Sequence, residues 1–408
     1  MKKTLVAIAS LAALGAMSTS AMAQSSMTIY GNLDQTLYNA SQGGKTATAT
    51  GSNINSSSYW GITSTEDLGG GMKASFDLRS EITLMTGQAA STSTSASNAG
   101  ATSTAAVTQN SVTQAGDKPV FFNRGAFVRV DGGFGALKIG RQGDAWWEAQ
   151  GAPNTSGGAS YAFGNLTATQ NNFTNYSTNV SGIANSTALT NYGGSASAAG
   201  TNINPTYMGV SEAFMGGFSY ITPNFNGFKA QYQIGAPKIS YNDAGNANNG
   251  YAYSLMYDGM GASVRVAGNA KNDYTGTAAF KMQFVGGAYT MGQWRLSAGY
   301  NKLTTGGAAA NTHGSTAVGF GLGYAVSSAL TVNAAYGTLT DDVTSANKFT
   351  QTGVSAYYKL SPRSTVYAAL GTGKNDGLMK MSPVYGGVST DTIGATVNSY
   401  MMGIKHTF

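Results

Sequence analysis

The sequence predicts an all-β chain: a 16-stranded antiparallel transmembrane barrel with short turns at one rim, long loops at the other and a third loop folded inward. Three observations predict it. Segments of roughly ten residues recur in which apolar and polar side chains alternate, rich in Tyr, Val, Ala and Gly and bounded by turn residues. The connections between them alternate between tight turns and long loops. After the first 23 residues, no stretch approaches the ~20 consecutive apolar residues that a membrane-spanning helix needs.

Composition removes other classes. Of 408 residues, 42% are apolar and 10% charged, with 56 Gly, 7 Pro and no Cys. A disordered chain would lack the 23 Tyr and 16 Phe, a collagen needs far more Pro, and a disulfide scaffold needs cysteine.

At the start, Lys2 and Lys3 precede an apolar run from Leu5 to Ala16 and the small-x-small site Ala21-Met22-Ala23. Residues 1–23 therefore read as a secretory signal peptide, with the barrel domain at 24–408. Loss of the two lysines lowers the net charge from +6 to +4.

Strands are expected near 27–39, 58–66, 71–83, 119–131, 134–142, 212–222, 226–236 and 250–258, and then near 261–270, 278–290, 293–302, 314–326, 329–338, 349–360, 363–373 and 395–408. Tight turns join alternate pairs, at Asp67-Leu68-Gly69-Gly70, Asp131-Gly132-Gly133, Pro223-Asn224-Phe225, Asp258-Gly259-Met260, Met291-Gly292, Ser327-Ser328 and Ser361-Pro362. The dyad is clearest in the last strand, where Tyr400, Met402, Ile404 and Phe408 share one face and Met401, Gly403, Lys405 and Thr407 the other. A soluble sandwich would alternate too, but it has no reason to segregate loop length by rim. A strand in hydrocarbon must pair every backbone amide, which a sheet achieves only by closing on itself. About sixteen strands enclose a water-filled channel. Aromatic residues near strand ends fit the interfacial girdles of such a barrel.

Two long loops carry no charge, from Ile82 to Gly116 and from Ala149 to Ser211. The first reads as a flexible, exposed low-complexity loop. The second, the third loop at about 143–211, holds Tyr161, Phe163, Phe173, Tyr176 and Tyr192, and is expected to fold against the inside of the barrel.

Motifs for chemistry are sparse. His313 lies in an expected external loop and His406 on the lipid-side parity of the last strand, so a triad or metal site built on both is not expected. Gly319-Phe320-Gly321-Leu322-Gly323 has no strand-to-helix context and reads as part of the wall. No enzyme activity, cofactor or nucleic-acid partner is expected. By parity Lys73, Arg79, Arg129, Lys138, Arg265, Lys281, Arg295, Lys359, Arg363 and Lys405, with Asp77 and Glu81, belong to the polar lumen face. A charge facing lipid would cost ~2–4 kcal/mol near the midplane.

The segments "SSMTIYGNLDQTLYN" (25–39), "SSYWGITSTEDLGGGMKASFDLRSEI" (57–82), "FNRGAFVRVDGGFGALKIGRQGD" (122–144), "YITPNFNGFKAQYQIG" (220–235) and "MGIKHTF" (402–408) resemble the β-proteobacterial general-porin family, of the Burkholderia and Neisseria type. The resemblance implies a homotrimer in the outer membrane, each barrel narrowed by its inward third loop and passing ions and small hydrophilic solutes by diffusion. It implies outer-membrane lipid and lipopolysaccharide as surroundings, and Phe408 as the signal read by the assembly machinery. By analogy the constriction sets Arg79, Arg124 and Arg129 against Asp144 and Glu148, with Lys138, Asp77, Glu81 and Tyr59 also lining the pore. Arg124 and Arg141 have an equal claim to a structural role, holding the third loop to the wall. Tyr59 stands where relatives carry a pore Arg, and Ser211-Glu212-Ala213 also lacks an expected Arg, so weak selectivity is expected. A substrate-favouring channel for an oligosaccharide or aromatic acid, with the third loop as its track, is the alternative, and a barrel-anchored adhesin using the loop at 84–118 is a further one.

Overall fold

Alternating side chains with β-branched and aromatic residues favour extended backbone, and among the described residues the alternating segments form strands. The computed structural model describes residues 26–42, 44–52, 54–89, 93–94, 108–109, 121–151, 214–235, 250–272, 278–305, 315–342, 345–377, 379 and 394–408. Sixteen strands make the barrel: β1 (Ser26–Gln42), β2 (Tyr59–Gly69), β3 (Met72–Thr83), β4 (Gly125–Gly132), β5 (Gly135–Gly143), β6 (Phe214–Ile221), β7 (Phe228–Gly235) and β8 (Gly250–Gly259), followed by β9 (Ala262–Asn272), β10 (Ala278–Met291), β11 (Trp294–Thr305), β12 (Ser315–Ala325), β13 (Leu330–Asp341), β14 (Lys348–Lys359), β15 (Ser364–Asp376) and β16 (Thr396–Thr407).

Each strand pairs antiparallel with its neighbours in sequence, and β1 pairs with β16 from Asn32↔Thr407 to Gln42↔Val397, closing the ring. Closure leaves no free sheet edge in hydrocarbon. The expected tight turns all join strands at one rim. Between β2 and β3 three consecutive glycines, Gly69, Gly70 and Gly71, take positive φ values of 77°, 61° and 78°, a run that residues with a Cβ resist.

Burial is inverted relative to a soluble protein. Val285, Phe320 and Leu370 are 50%, 55% and 60% exposed on the outer face, whereas Gln233, Asn301 and Gln351 are fully buried inside. Outward aromatic residues gather at the short-turn rim, including the tilted pairs Phe228–Tyr257 and Trp294–Tyr324, with centroids 4.6 and 4.5 Å apart. There an amphipathic ring has one edge in lipid and one in water.

The structure corrects three expectations. Residues 121–124, expected to begin a strand, precede β4, which starts at Gly125. The connection after β1 is not a plain loop, because a short strand, Lys45–Ser52, extends β1 as a hairpin from Gln42↔Lys45 to Gln35↔Ser52. Lys281, expected in the lumen, shares the outer face with Val285 and Tyr289 near the long-loop end of β10. In the uncharged stretch 82–116, Gln88–Ala89 pairs with the end of β3 and Ser93–Thr94 with Thr108–Gln109.

Candidate functional site

The wall formed by β2 to β5 carries most of the expected lining. Across the β2–β3 hairpin Tyr59 faces Glu81, Gly61 faces Arg79 and Thr63 faces Asp77, all on lumen positions. The Tyr30 ring fills the space over Gly61, 2.9 Å from where a Cβ would stand, and the Arg79 guanidinium lies 5.3 Å from the centroid of the Tyr59 ring. Asp77 accepts the hydroxyl of Tyr30 at 2.5 Å, and its other oxygen stands 3.5 Å from Arg79 Nε. On the next hairpin Arg129 and Lys138 are directly opposed. Two like charges at such a distance repel; Arg129 is balanced by a two-pronged contact with Asp131 at 2.7 and 2.5 Å, and Lys138 places its ammonium 4.6 Å from the Phe127 centroid.

The described part of the third loop leaves β5 through Asp144 into a short helix, α1 (Ala145–Ala149). Asp144 caps it, accepting Trp146 N–H at 2.8 Å, and also accepts Asn269 Nδ2 at 3.2 Å. The helix lies against β7 to β10 on the inner wall. Its anchor is Trp146, buried with Met282, Phe284, Leu303, Leu339 and Phe349. Those five occupy lumen positions near the long-loop ends of their strands, so this part of the inner wall is apolar where polar residues were expected.

Glu148, on α1, is exposed to lumen water yet ringed by protein. That enclosure raises its pKa above the ordinary carboxylate value; Lys138, Arg79 and Arg129 pull it back, and Asp144 adds to the rise. Glu148 on the loop thus lies within electrostatic reach of the basic wall groups Lys138, Arg79 and Arg129. Asp144 is occupied in capping and is buried away from the opening.

Two arginines take other places. Arg124 grips Glu81 with Nε at 2.8 Å and a terminal nitrogen at 2.7 Å, while Arg124 N–H donates to the Arg79 carbonyl. Arg141 shares the outward parity of Leu137 and Ile139, and its Nε donates to the Asn123 carbonyl at 2.7 Å. Asn123 Oδ1 in turn accepts Glu81 N–H at 2.9 Å. These contacts stitch the entry of β4 to β3 and β5. Phe408 lies on the outer face beyond β16, exchanging backbone hydrogen bonds with Gly31. His406 meets Ser364, and His313 and the aromatic residues of 161–192 lie outside the described residues.

A second inward element, which nothing in the residue pattern announces, lies between the β1 hairpin and β2. β1 pairs with Ser52 at Gln35 and with Tyr59 at Asn32, so two residues of β1 face six on the neighbouring strand. The surplus, around residues 54–58, turns into the barrel. Asp34 accepts the backbone N–H groups of Asn55 and Ser56 at 3.0 and 2.6 Å on one oxygen and the Tyr367 hydroxyl at 2.6 Å on the other. Asn55 Oδ1 accepts the Tyr357 hydroxyl at 2.7 Å, and Ile54 packs among Tyr38, Tyr357, Tyr367 and Met401.

The comparisons with known proteins agree with this geometry. A family described as Gram-negative porin matches residues 9–378. Outer membrane porin protein 32 of Delftia acidovorans is 46% identical over 84 residues, a stretch that is 20% of this chain and only 23% of that protein. An anion-selective porin from Comamonas acidovorans superposes with a TM-score of 0.68 at 21% identity, covering 94% of this chain and all of that one. OmpT of Vibrio cholerae, seen in a trimer form, superposes with a TM-score of 0.54 at 13% identity, covering 94% of this chain and 99% of that one.

Proposed function

This chain belongs to the Gram-negative porin family, and from that premise we propose that it forms a water-filled outer-membrane channel for passive diffusion of ions and small hydrophilic solutes. The observation that carries the reading is the inverted barrel with α1 packed on its inner wall and Glu148 on the loop within electrostatic reach of Lys138, Arg79 and Arg129. Such opposed charge makes a transverse field that orients permeating solutes.

Selectivity is weak in this reading. The three basic groups, Arg79, Arg129 and Lys138, stand with three acids, Asp77, Asp131 and Glu148. Tyr59, held under Arg79, lines the same wall, and Glu81 with Arg124 and Arg141 frames it. Residues 1–23 act as the export signal, Phe408 as the assembly signal, and the barrel works as a homotrimer bounded by lipid and lipopolysaccharide. No catalytic step is assigned to it.

Planar-bilayer recording tests the proposal. Purified, folded trimers should give stepwise, ohmic currents; a folded trimer without conductance overturns it.

A further inference from the structure

Asp34 is a carboxylate on a lumen position of β1, and it is fully buried. Its oxygens are taken by the inserted segment and by Tyr367. Across the closing seam its direct partner is Lys405, on a lumen position of β16 and only partly buried. The wall therefore offers a cation to the lumen beside an acid that is covered.

The segment doing the covering is built for that place. Beyond the two backbone donors on Asp34, Asn32 Nδ2 donates to Ser56 Oγ at 3.0 Å and to the Ser57 carbonyl at 2.6 Å. Ser58 Oγ accepts Asp34 N–H at 2.9 Å. The contacts reach from β1 past β16 and β15 to Tyr357 on β14. The segment contains no charge of its own, and it leads directly into Tyr59, whose ring lies beside Arg79.

We propose that residues 54–58 are an ion-filter element on the wall that β14, β15, β16 and β1 form, which conceals the Asp34 carboxylate from permeating ions and takes up part of the lumen. The proposal rests on the channel reading above. Its chemical content is specific: with the segment in place permeating ions can approach Lys405 but cannot contact the Asp34 carboxylate, and removing the segment gives cations an exposed carboxylate.

The register supplies a clean variant. Deleting residues 54–57 leaves Asn53 and Ser58 to face Asp34 and Leu33, so the ladder from Ser52 to Tyr59 becomes continuous and side-chain parity is kept. In bilayers this variant should conduct roughly 1.5-fold more than the parent, since current through a wet pore follows its open cross-section. Its reversal potential under a salt gradient should shift toward cations. Adding Asp34→Asn to the deletion should keep the larger conductance and return the reversal potential to the parent value. Should the deletion fail to fold, as judged by heat-modifiable migration in detergent gels, Tyr367→Phe removes one donor from Asp34 at full chain length and should give a smaller cation shift. A folded deletion variant with parental conductance and reversal potential overturns the proposal, as does Tyr367→Phe without a shift when that variant is the one that folds. A parent chain that does not conduct at all would instead overturn the channel reading.

Discussion

The guanidinium of Arg79 lies 5.3 Å from the ring centroid of Tyr59, on the strand directly opposite. An aromatic face attracts a cation without cancelling its charge, so Arg79 stays positive and oriented toward the lumen. Arg79→Glu should therefore move the anion-to-cation permeability ratio toward cations by roughly threefold, given how strongly a charged cleft biases local ion concentration. Arg129→Glu should act in the same direction, with Asp131 then unpaired. Reversal potentials under a salt gradient decide the matter; no change in either variant would mean that neither side chain borders the narrowest section.

Glu148 gives the channel a pH dependence of fixed sign. Its pKa is raised, chiefly by enclosure, so acidification protonates it before an ordinary glutamate. Protonation removes a negative charge facing Lys138, Arg79 and Arg129. Anion preference should then rise as pH falls from 7 toward the ordinary carboxylate range. Glu148→Gln should show the raised anion preference already at pH 7 and flatten the dependence above that range.

Trp146 is the anchor of α1, 1% exposed within an apolar cluster. Trp146→Ala should cost about 3–5 kcal/mol of docking energy at that site. The loss falls on the loop and not on the strand ladder, so the barrel should keep its heat resistance in detergent. Open-channel current noise should increase, and an unchanged noise spectrum would contradict the anchoring role.

Leu370, 60% exposed at the middle of β15, faces the hydrocarbon. Leu370→Arg should destabilise the folded barrel in lipid vesicles by about 2–4 kcal/mol, measured by urea titration. The neighbouring inward position Gly371 faces water, so charge there should cost far less.

The strands and tight turns were legible because a period of two survives whatever lies on either side of the sheet. What each face touches was harder to read. Through the middle of the wall, apolar means outward, as at Val285, Tyr300 and Leu370. Near the long-loop ends the assignment reverses: Lys281, Gln283, Lys302 and Lys348 point outward, while Met282, Leu303 and Phe349 point inward. Outside, the hydrocarbon has given way to a polar layer, and inside, α1 supplies an apolar surface to cover. Lys281 was misplaced for that reason. Glu148 was set against Arg79 and Arg129 only by motif resemblance, whereas the outward parity of Arg141 was already present in its spacing from Leu137 and Ile139. The inserted segment was illegible, because Asn-Ile-Asn-Ser-Ser-Ser reads as solvent loop until its partners, Asp34, Tyr357 and Tyr367, are brought together by closure.

The seam that joins residues 32 and 407 has a consequence for how the chain is made. Until those distant segments meet, every partial assembly presents two raw margins of amide groups to oil, a penalty that grows with strand length. A half-built wall is thus no resting point in the bilayer. The polypeptide must either be sheltered along its unfinished margins by another protein or enter the membrane in one cooperative step.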